Sequence, residues 1–366
     1  AFQHVLENMA ASTQNGAEGL PAAGTAGLAR HLGVSRWTVS RVLNGHDGVK
    51  AATRERVLRA VEQYGFEPSV MARGLRGLPS RLVGVSFPHL EAQVLAHKSQ
   101  FLQHELKEAG YRCLFSMPEG DAVVEEEVVR HFLSIGVDGI VLLGSALRPE
   151  AKVLEEAHGR GARLVAVDPK HALDLPRVSL DRHHAMAMKL DHLYERGHRR
   201  IGVLGLRGED LYRAVRLRGL RQAARRLRLA EGEGLRYFDA EGYPQQAYEY
   251  GAALARQVLG ERGWRPTALF CLNDRIAIGA LQALKDGGVA VPEEMSVIGF
   301  DNAPEAAWIR PGLTTVDQNV GELMHTAAGL LWSGRDEDKP ARRKVAPLLI
   351  ARGSTGPAPG FQKQTK

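Results

Sequence analysis

Hydrophobic and polar positions follow two different periods along this chain. Between Thr25 and Tyr64, apolar residues recur every three or four positions in three short runs. Leu28 and Leu32 share one helical face, Val39, Val42 and Leu43 a second, and Val57, Leu58, Val61 and Tyr64 a third. Thr25 is placed to cap the first run and Ser35 the second, while Thr53 opens the third. Gly33 supplies a tight turn between the first two runs, Asn44-Gly45 ends the second, and Gly65 ends the third. Three short helices with a glycine turn between the first two form a helix-turn-helix pattern. From Pro68 to Gly77 the helical signal is weak. Gly74 costs ~1 kcal/mol of helix stability relative to Ala. So short a helix is marginal alone, and it is expected to order only against a partner.

Past Pro79-Ser80 the period changes. Short apolar runs at Leu82–Phe87, Arg112–Ser116, Gly139–Leu143, Arg163–Val167, Ile201–Leu204, Arg236–Phe238, Ala268–Cys271 and Ser296–Gly299 read as strands. Helical stretches separate them, and a second cycle starts near Val178. Near-continuous Val/Ile/Leu strands between helices predict parallel sheets covered on both faces. Roughly eleven strands divide better into two doubly wound lobes than into one sheet. Ligands in such folds bind at the carboxyl ends of strands, so the cleft between lobes is the default pocket. The expected organisation is a flexible extension over 1–23, a helix-turn-helix domain over 24–66, a hinge over 67–80, a two-lobed α/β core over 81–356 and a tail over 357–366.

Composition adds little, but charge adds direction. Hydrophobic residues make up 44% and charged residues 25% of the 366, an ordinary globular balance. No apolar run reaches the ~20 residues of a membrane span, so no membrane role is expected. The start, Ala1-Phe2-Gln3-His4, carries neither a basic segment nor an apolar one of signal-peptide type, and a cytoplasmic location is expected. Cys113 and Cys271 are far apart in apolar runs and read as buried reduced thiols. The net charge of +6 sits in one place: residues 24–81 hold ten Lys/Arg and four acids, and the rest of the chain is balanced. A positive segment on a neutral body fits a head that binds a polyanion.

Catalytic signals are lacking. The chain has no G-x-S-x-G, H-E-x-x-H or P-loop, and Gly205-Leu206-Arg207-Gly208 is too loose for a dinucleotide fingerprint. His183-His184, His89, His97 and His104 lack metal-ligand spacing. Neither an enzyme nor a cofactor is expected.

One continuous motif carries more. It runs Leu32-Gly33-Val34-Ser35-Arg36-Trp37-Thr38-Val39-Ser40-Arg41-Val42-Leu43-Asn44, then Thr53-Arg54-Glu55-Arg56-Val57 and Ala72-Arg73-Gly74-Leu75. Later come Arg196-Gly197-His198-Arg199-Arg200-Ile201, Asn273-Asp274-Arg275-Ile276-Ala277, Val297-Ile298-Gly299-Phe300-Asp301, Pro311-Gly312-Leu313-Thr314-Thr315 and Arg352-Gly353-Ser354-Thr355. In order and spacing, residues 24–356 resemble the lac/gal repressor family of bacterial transcription regulators. The resemblance implies a helix-turn-helix head with a hinge helix on a two-lobed core like periplasmic binding proteins. It implies double-stranded operator DNA, a homodimer and a small effector as partners.

Roles follow by position. The second helix of such a head enters the major groove with its first side chains on base edges. Here those are Arg36 and Trp37, with Arg41 one turn later. Arg can bond guanine bidentately. Trp37 could pack on a thymine methyl or instead belong to the core. Thr38, Ser40 and Asn44 suit phosphate contacts or capping. The resemblance implies that Leu75 wedges into the minor groove, flanked by Arg73. Gly27 and Ser69 depart from the family pattern, which commonly has an acidic residue and Asn there. In the core the resemblance marks Arg216, Asn273 and Asp301 as effector contacts. Together they can satisfy vicinal hydroxyls, so a sugar is the expected effector. Asn273 could also simply cap its helix, Asp301 occupy a turn, and Arg216 join a surface ion pair. Asp168, Gln318, Phe87 and Ser145 sit just past strand or crossover ends and are further candidates. A nucleobase effector would want stacking, for which Phe87, Trp308 and Tyr243 are available. A solute-binding protein fits the core but not the head.

Overall fold

A computed structural model describes residues 25–43, 47–64, 79–88, 93–206, 211–244, 247–333 and 340–361. The chain divides between Ser80 and Arg81 into two compact units.

The first unit contains α1 (Thr25–His31), α2 (Arg36–Leu43) and α3 (Ala51–Gln63). Leu28, Ala29, Val39, Val42, Val57 and Ala60 form its core, with Leu32, Val34, Val61 and Tyr64 packed against it. Gly33 turns the chain between α1 and α2 at φ +61°, a conformation that side chains rarely adopt. Ser35 caps α2 as expected, its Oγ accepting from the Thr38 amide at 3.0 Å. Three expectations fail. Thr25 is the first residue of α1 itself, not its cap. The third helix starts at Ala51 after Lys50, so Thr53 lies within its first turn. Leu58 is exposed, because it falls at the edge of the Val57–Val61–Tyr64 stripe.

The second unit carries two parallel sheets. The first has β1 (Leu82–Ser86), β2 (Arg112–Ser116), β3 (Gly139–Leu143), β4 (Arg163–Val167), β5 (Arg177–Leu180) and β11 (Arg342–Val345), in the order β11-β5-β4-β3-β1-β2. The second has β6 (Ile201–Leu204), β7 (Leu235–Phe238), β8 (Ala268–Cys271) and β9 (Ser296–Ile298), in the order β7-β6-β8-β9. β10 (Thr315–Asp317) and β12 (Leu348–Ile350) pair antiparallel beside the second sheet, with Ile298 bridged to Thr314 and Asp301 to Asp317.

Helices cover both faces. In the first lobe these are α4 (Gln93–Glu108) and α12 (Val320–Trp332) on one side, with α5 (Ala122–Ile135) and α6 (Lys152–Gly159) on the other. In the second lobe α7 (Arg182–Glu195) and α8 (Leu211–Arg226) pack together, and so do α9 (Tyr248–Gly260) and α10 (Asp274–Asp286). A short α11 (Glu305–Trp308) precedes β10.

The strands begin and end close to where the apolar runs do, but the connectivity corrects the expectation twice. β5, placed at the start of the second cycle, pairs with β4 and closes the first sheet. After the second lobe the chain returns to the first: α12 inserts Leu323, Met324, Ala327 and Leu331 into the first lobe's core, and β11 adds a strand next to β5.

Candidate functional site

The start of α2 presents the head's recognition candidates. Trp37 is 63% exposed, so it is not a core residue. Arg41 lies over its ring at 4.8 Å from the centroid and donates from Nε to the Asp47 carbonyl at 3.1 Å. Arg36 is exposed and donates from Nε to Thr25 Oγ1 at 3.2 Å. Thr38 exchanges a hydroxyl contact of 2.8 Å with Ser35. Val39 and Val42 point the other way, into the core. The amphipathic period of α2 therefore holds Arg36 and Trp37 on its outer face. Asn44, Arg73 and Leu75 lie outside the described residues, as do the 1–23 extension and the hinge helix.

In the core, Phe87, Ser145, Asp168, Asn273, Asp301 and Gln318 all follow the carboxyl ends of strands β1, β3, β4, β8, β9 and β10. They do not form one cluster. Phe87 is buried and edge-on to Phe115. Ser145 is buried, and its Oγ accepts from the Leu147 amide at 3.1 Å. Beside it the buried Glu125 accepts from Ser86 Oγ at 3.1 Å and from the Ala146 amide at 2.8 Å. Burial pushes the Glu125 carboxyl up, although these donors oppose the shift.

The remaining candidates converge with residues that the sequence did not mark. Asp168 accepts from Lys98 Nζ at 2.7 Å, from Arg182 Nη1 at 2.5 Å and from the Leu180 amide at 2.9 Å. Burial opposes its charge, but Arg182 and Lys98 overcome it and hold the carboxyl well below the usual range. Arg182 crosses the Tyr212 ring at 4.5 Å, linking this ion pair to the second lobe. Asp301 accepts from Gln318 Nε2 at 2.5 Å, and Arg216, Lys98 and Arg182 act on it electrostatically. Burial outweighs them and raises its carboxyl. Arg216 is half-buried and lies over Phe300 at 5.8 Å, away from the open surface. Asn273 caps α10, its Oδ1 accepting from the Ile276 amide at 2.8 Å. Asp168 at φ +49° and Asp301 at φ +117° hold conformations that cost ~1–3 kcal/mol each. Asp301 is thus a turn residue and a member of the charged cluster at once.

Behind this cluster Lys189 is fully buried on α7. It donates to the Cys271 carbonyl and lies 3.8 Å from the Phe270 ring centroid. Burial pushes it down to about 7. Asp274 accepts from Thr315 Oγ1 at 2.6 Å and from the Ala303 amide at 2.8 Å. Burial, with Asp301 nearby, pushes it up to about 7. Sequence reasoning missed Lys98, Arg182, Lys189 and Asp274. Asp274 adjoins a marked residue, but charged residues on helices ordinarily read as solvated faces. Cys271 is buried as expected, and burial pushes its thiol up to about 12. Cys113 is only half-buried. Among the described residues no group of three or more His, Cys, Asp or Glu is arranged to hold a metal, and no helix is long and apolar enough to cross a membrane.

A family model described as bacterial regulatory proteins of the lacI family matches residues 27–69. A periplasmic binding protein-like domain matches 190–355. The HTH-type transcriptional regulator reg1 of Streptomyces lividans is 32% identical over 92% of this chain and 97% of its own length. The transcriptional repressor CytR of Escherichia coli is 32% identical over 89% of this chain and 94% of its own. The chain belongs to the lacI family of bacterial regulatory proteins. Its fold matches that of a lac repressor dimer bound to operator and an anti-inducer, with a TM-score of 0.79 at 24% identity over 91% of this chain and 99% of that one. This lacI-family protein is therefore a DNA-binding transcriptional regulator with a ligand-binding type of core, not an enzyme.

The family position also explains signatures that do not join the cluster. His198 bonds Thr267 Oγ1 at 2.8 Å and the Gly356 carbonyl at 3.1 Å, and burial pushes it down to about 4, so it stays neutral. Ser354 Oγ donates to the Val297 carbonyl at 2.6 Å and accepts from the Thr314 amide at 2.8 Å. These contacts hold residues 354–356 against β9 and the start of β8.

Proposed function

We propose that this regulator is a homodimeric repressor in the cytoplasm whose grip on operator DNA is set by a sugar held between the two core lobes. Arg36 and Trp37, with Arg41 one turn later, would read base edges, while Thr38 and Ser40 would meet phosphates. Arg41 now engages Trp37 and the Asp47 carbonyl, and it would exchange these contacts for DNA. Leu75 and Arg73 are assigned to the minor groove by family position alone.

The observation that carries the effector half is the buried charged cluster drawn from both lobes: Lys98 and Asp168 from the first, Arg216, Asp301 and Gln318 from the second, with Arg182 between them. Buried carboxylates and guanidinium groups side by side suit a ligand rich in hydroxyls. Asn273 is assigned to the effector by family position, besides its part in capping α10. Phe87 would supply an apolar wall, while Ser145 is placed to act through Glu125. A ligand shifts the protein only through different affinity for two states. Sugar binding would select one disposition of the lobes and so change operator affinity.

Two measurements test this. Gel shifts on sites selected from random DNA should lose affinity steeply with salt, in proportion to the phosphates neutralised. A response flat in salt would remove the DNA-reading assignment of α2. A thermal-shift screen of sugars and nucleobases should find a stabilising sugar whose effect disappears in Asp301→Ala.

A further inference from the structure

Two buried polar atoms in the charged group around Asp301 and Asp168 have no protein hydrogen-bond partner among the described residues. Gln318 is 3% exposed, and its Oε1 is buried and accepts no hydrogen bond. Its Nε2 is committed to Asp301, which fixes the amide with the carbonyl oxygen turned away from that carboxylate. Arg182 is 6% exposed, and its Nε–H is buried and donates to nothing. Its Nη1 is committed to Asp168, and Asp301 acts on it as well. Buried polar groups are almost always satisfied, so each exception calls for a partner such as a water, an ion or a ligand.

Resting on the effector cleft proposed above, we propose that Arg182 is a specificity residue of that cleft. Arg182 Nε and Gln318 Oε1 together select a hydroxyl of the effector, which donates to Gln318 and accepts from Arg182. An unsatisfied acceptor and an unsatisfied donor in one charged group call for a ligand with both capacities. A hydroxyl has them, singly or as neighbours on adjacent carbons. A cyclic amide edge also offers one donor and one acceptor, but a base needs a ring face to stack on. The rings assigned to the cleft are already engaged: Tyr212 by Arg182, Phe300 by Arg216 and Lys189, and Phe87, which is buried, by Phe115. The cleft therefore favours a polyol over a flat base. Arg182 is also the link between lobes, bonded to Asp168 on one and stacked on Tyr212 of the other. A hydroxyl that engages Nε reports directly on how the lobes stand.

The test uses the full chain and calorimetric titration with a panel of monosaccharides, disaccharides, nucleosides and free nucleobases. The ligand that binds is compared with its single-deoxy analogues, on the wild type and on Arg182→Lys, which keeps the charge and removes Nε. Gln318→Met is the second variant, and the analogue series on the wild type needs no variant at all. The expected result is a hydroxylated ligand for which one deoxy analogue binds the wild type about tenfold more weakly, the scale of one hydrogen bond to a charged group. Arg182→Lys should then bind parent and analogue equally, which a merely structural role would not produce. If Asp301→Ala abolishes binding while Arg182→Lys and Gln318→Met stay within twofold of wild type, the cleft stands and the role of Arg182 falls. If Asp301→Ala has no effect either, the cleft itself is misplaced and this inference falls with it. A panel in which only free nucleobases bind, or nothing does, overturns the selection of a hydroxyl.

Discussion

Arg36 and Lys189 are both cations on helices, and their surroundings give them opposite meanings. Arg36 is exposed at the start of α2, where its guanidinium, bonded through Nε to Thr25, can still turn its terminal nitrogens to a base edge. Arg36→Ala should relax specificity at one base pair of the operator by ~1–3 kcal/mol, read from affinities for sites differing at that pair. An equal loss on every sequence would make Arg36 a phosphate contact. Lys189 pays the full cost of burial. Burial pushes its ammonium down from the ordinary lysine value of 10.5 to about 7 in the folded chain. Between these values the unfolded chain binds the extra proton, so this residue makes stability rise with pH over that window. Below about 7 both states are protonated and the buried charge weighs fully on the fold. Lys189→Met should remove that rise, by up to ~1.4 kcal/mol per pH unit, in urea melts from pH 7 to 10. An unchanged slope would show that Lys189 titrates as an exposed lysine. Charge at the residue scale was legible in the sequence. Burial was not, because it depends on what packs against the residue.

The α9–α10 pair shows what an element inherits from its sequence. A Cβ on Gly251 would strike the Ile276 backbone, and one on Gly279 would strike Tyr248 and Ala252. The two helices meet backbone to backbone, and only glycine permits that approach. Gly279→Ala should destabilise the fold by ~1–3 kcal/mol despite its better helix propensity, measured by thermal or denaturant unfolding. A stabilised variant would mean the pair separates without cost. Buried strands such as Gly139–Leu143 and Ala268–Cys271 were readable to the residue, since a core strand needs an unbroken apolar run. β11 was not. Its sequence Arg-Arg-Lys-Val has three exposed residues, because it lies at the sheet edge. Backbone pairing with β5 makes it a strand, and pairing leaves no hydrophobic signature.

Across the whole core, the lobes are not consecutive halves of the chain. β5 closes the first sheet, the chain builds the second lobe, and α12 and β11 return to the first. The Lys98–Asp168–Arg182 group and the Asp301–Gln318 pair lie along these crossings. A ligand bound there should stabilise the whole second unit. At a concentration one hundred times its Kd the gain is ~2.7 kcal/mol, seen as a rise in Tm. The same ligand should alter operator affinity, and Asp301→Ala should abolish both effects together. Loss of one without the other would separate stabilisation from signalling.

The sequence by itself determined the family, the helix-turn-helix, the parallel sheets and several members of the candidate site. These rest on local patterns: apolar period, turn residues and contiguous motifs. Tertiary structure alone decided which strands share a sheet and that Trp37 faces outward. It also brought Lys98, Arg182 and Lys189 to the site from helices that carry no motif. Electrostatic environment arises between residues distant in sequence, so no local pattern encodes it.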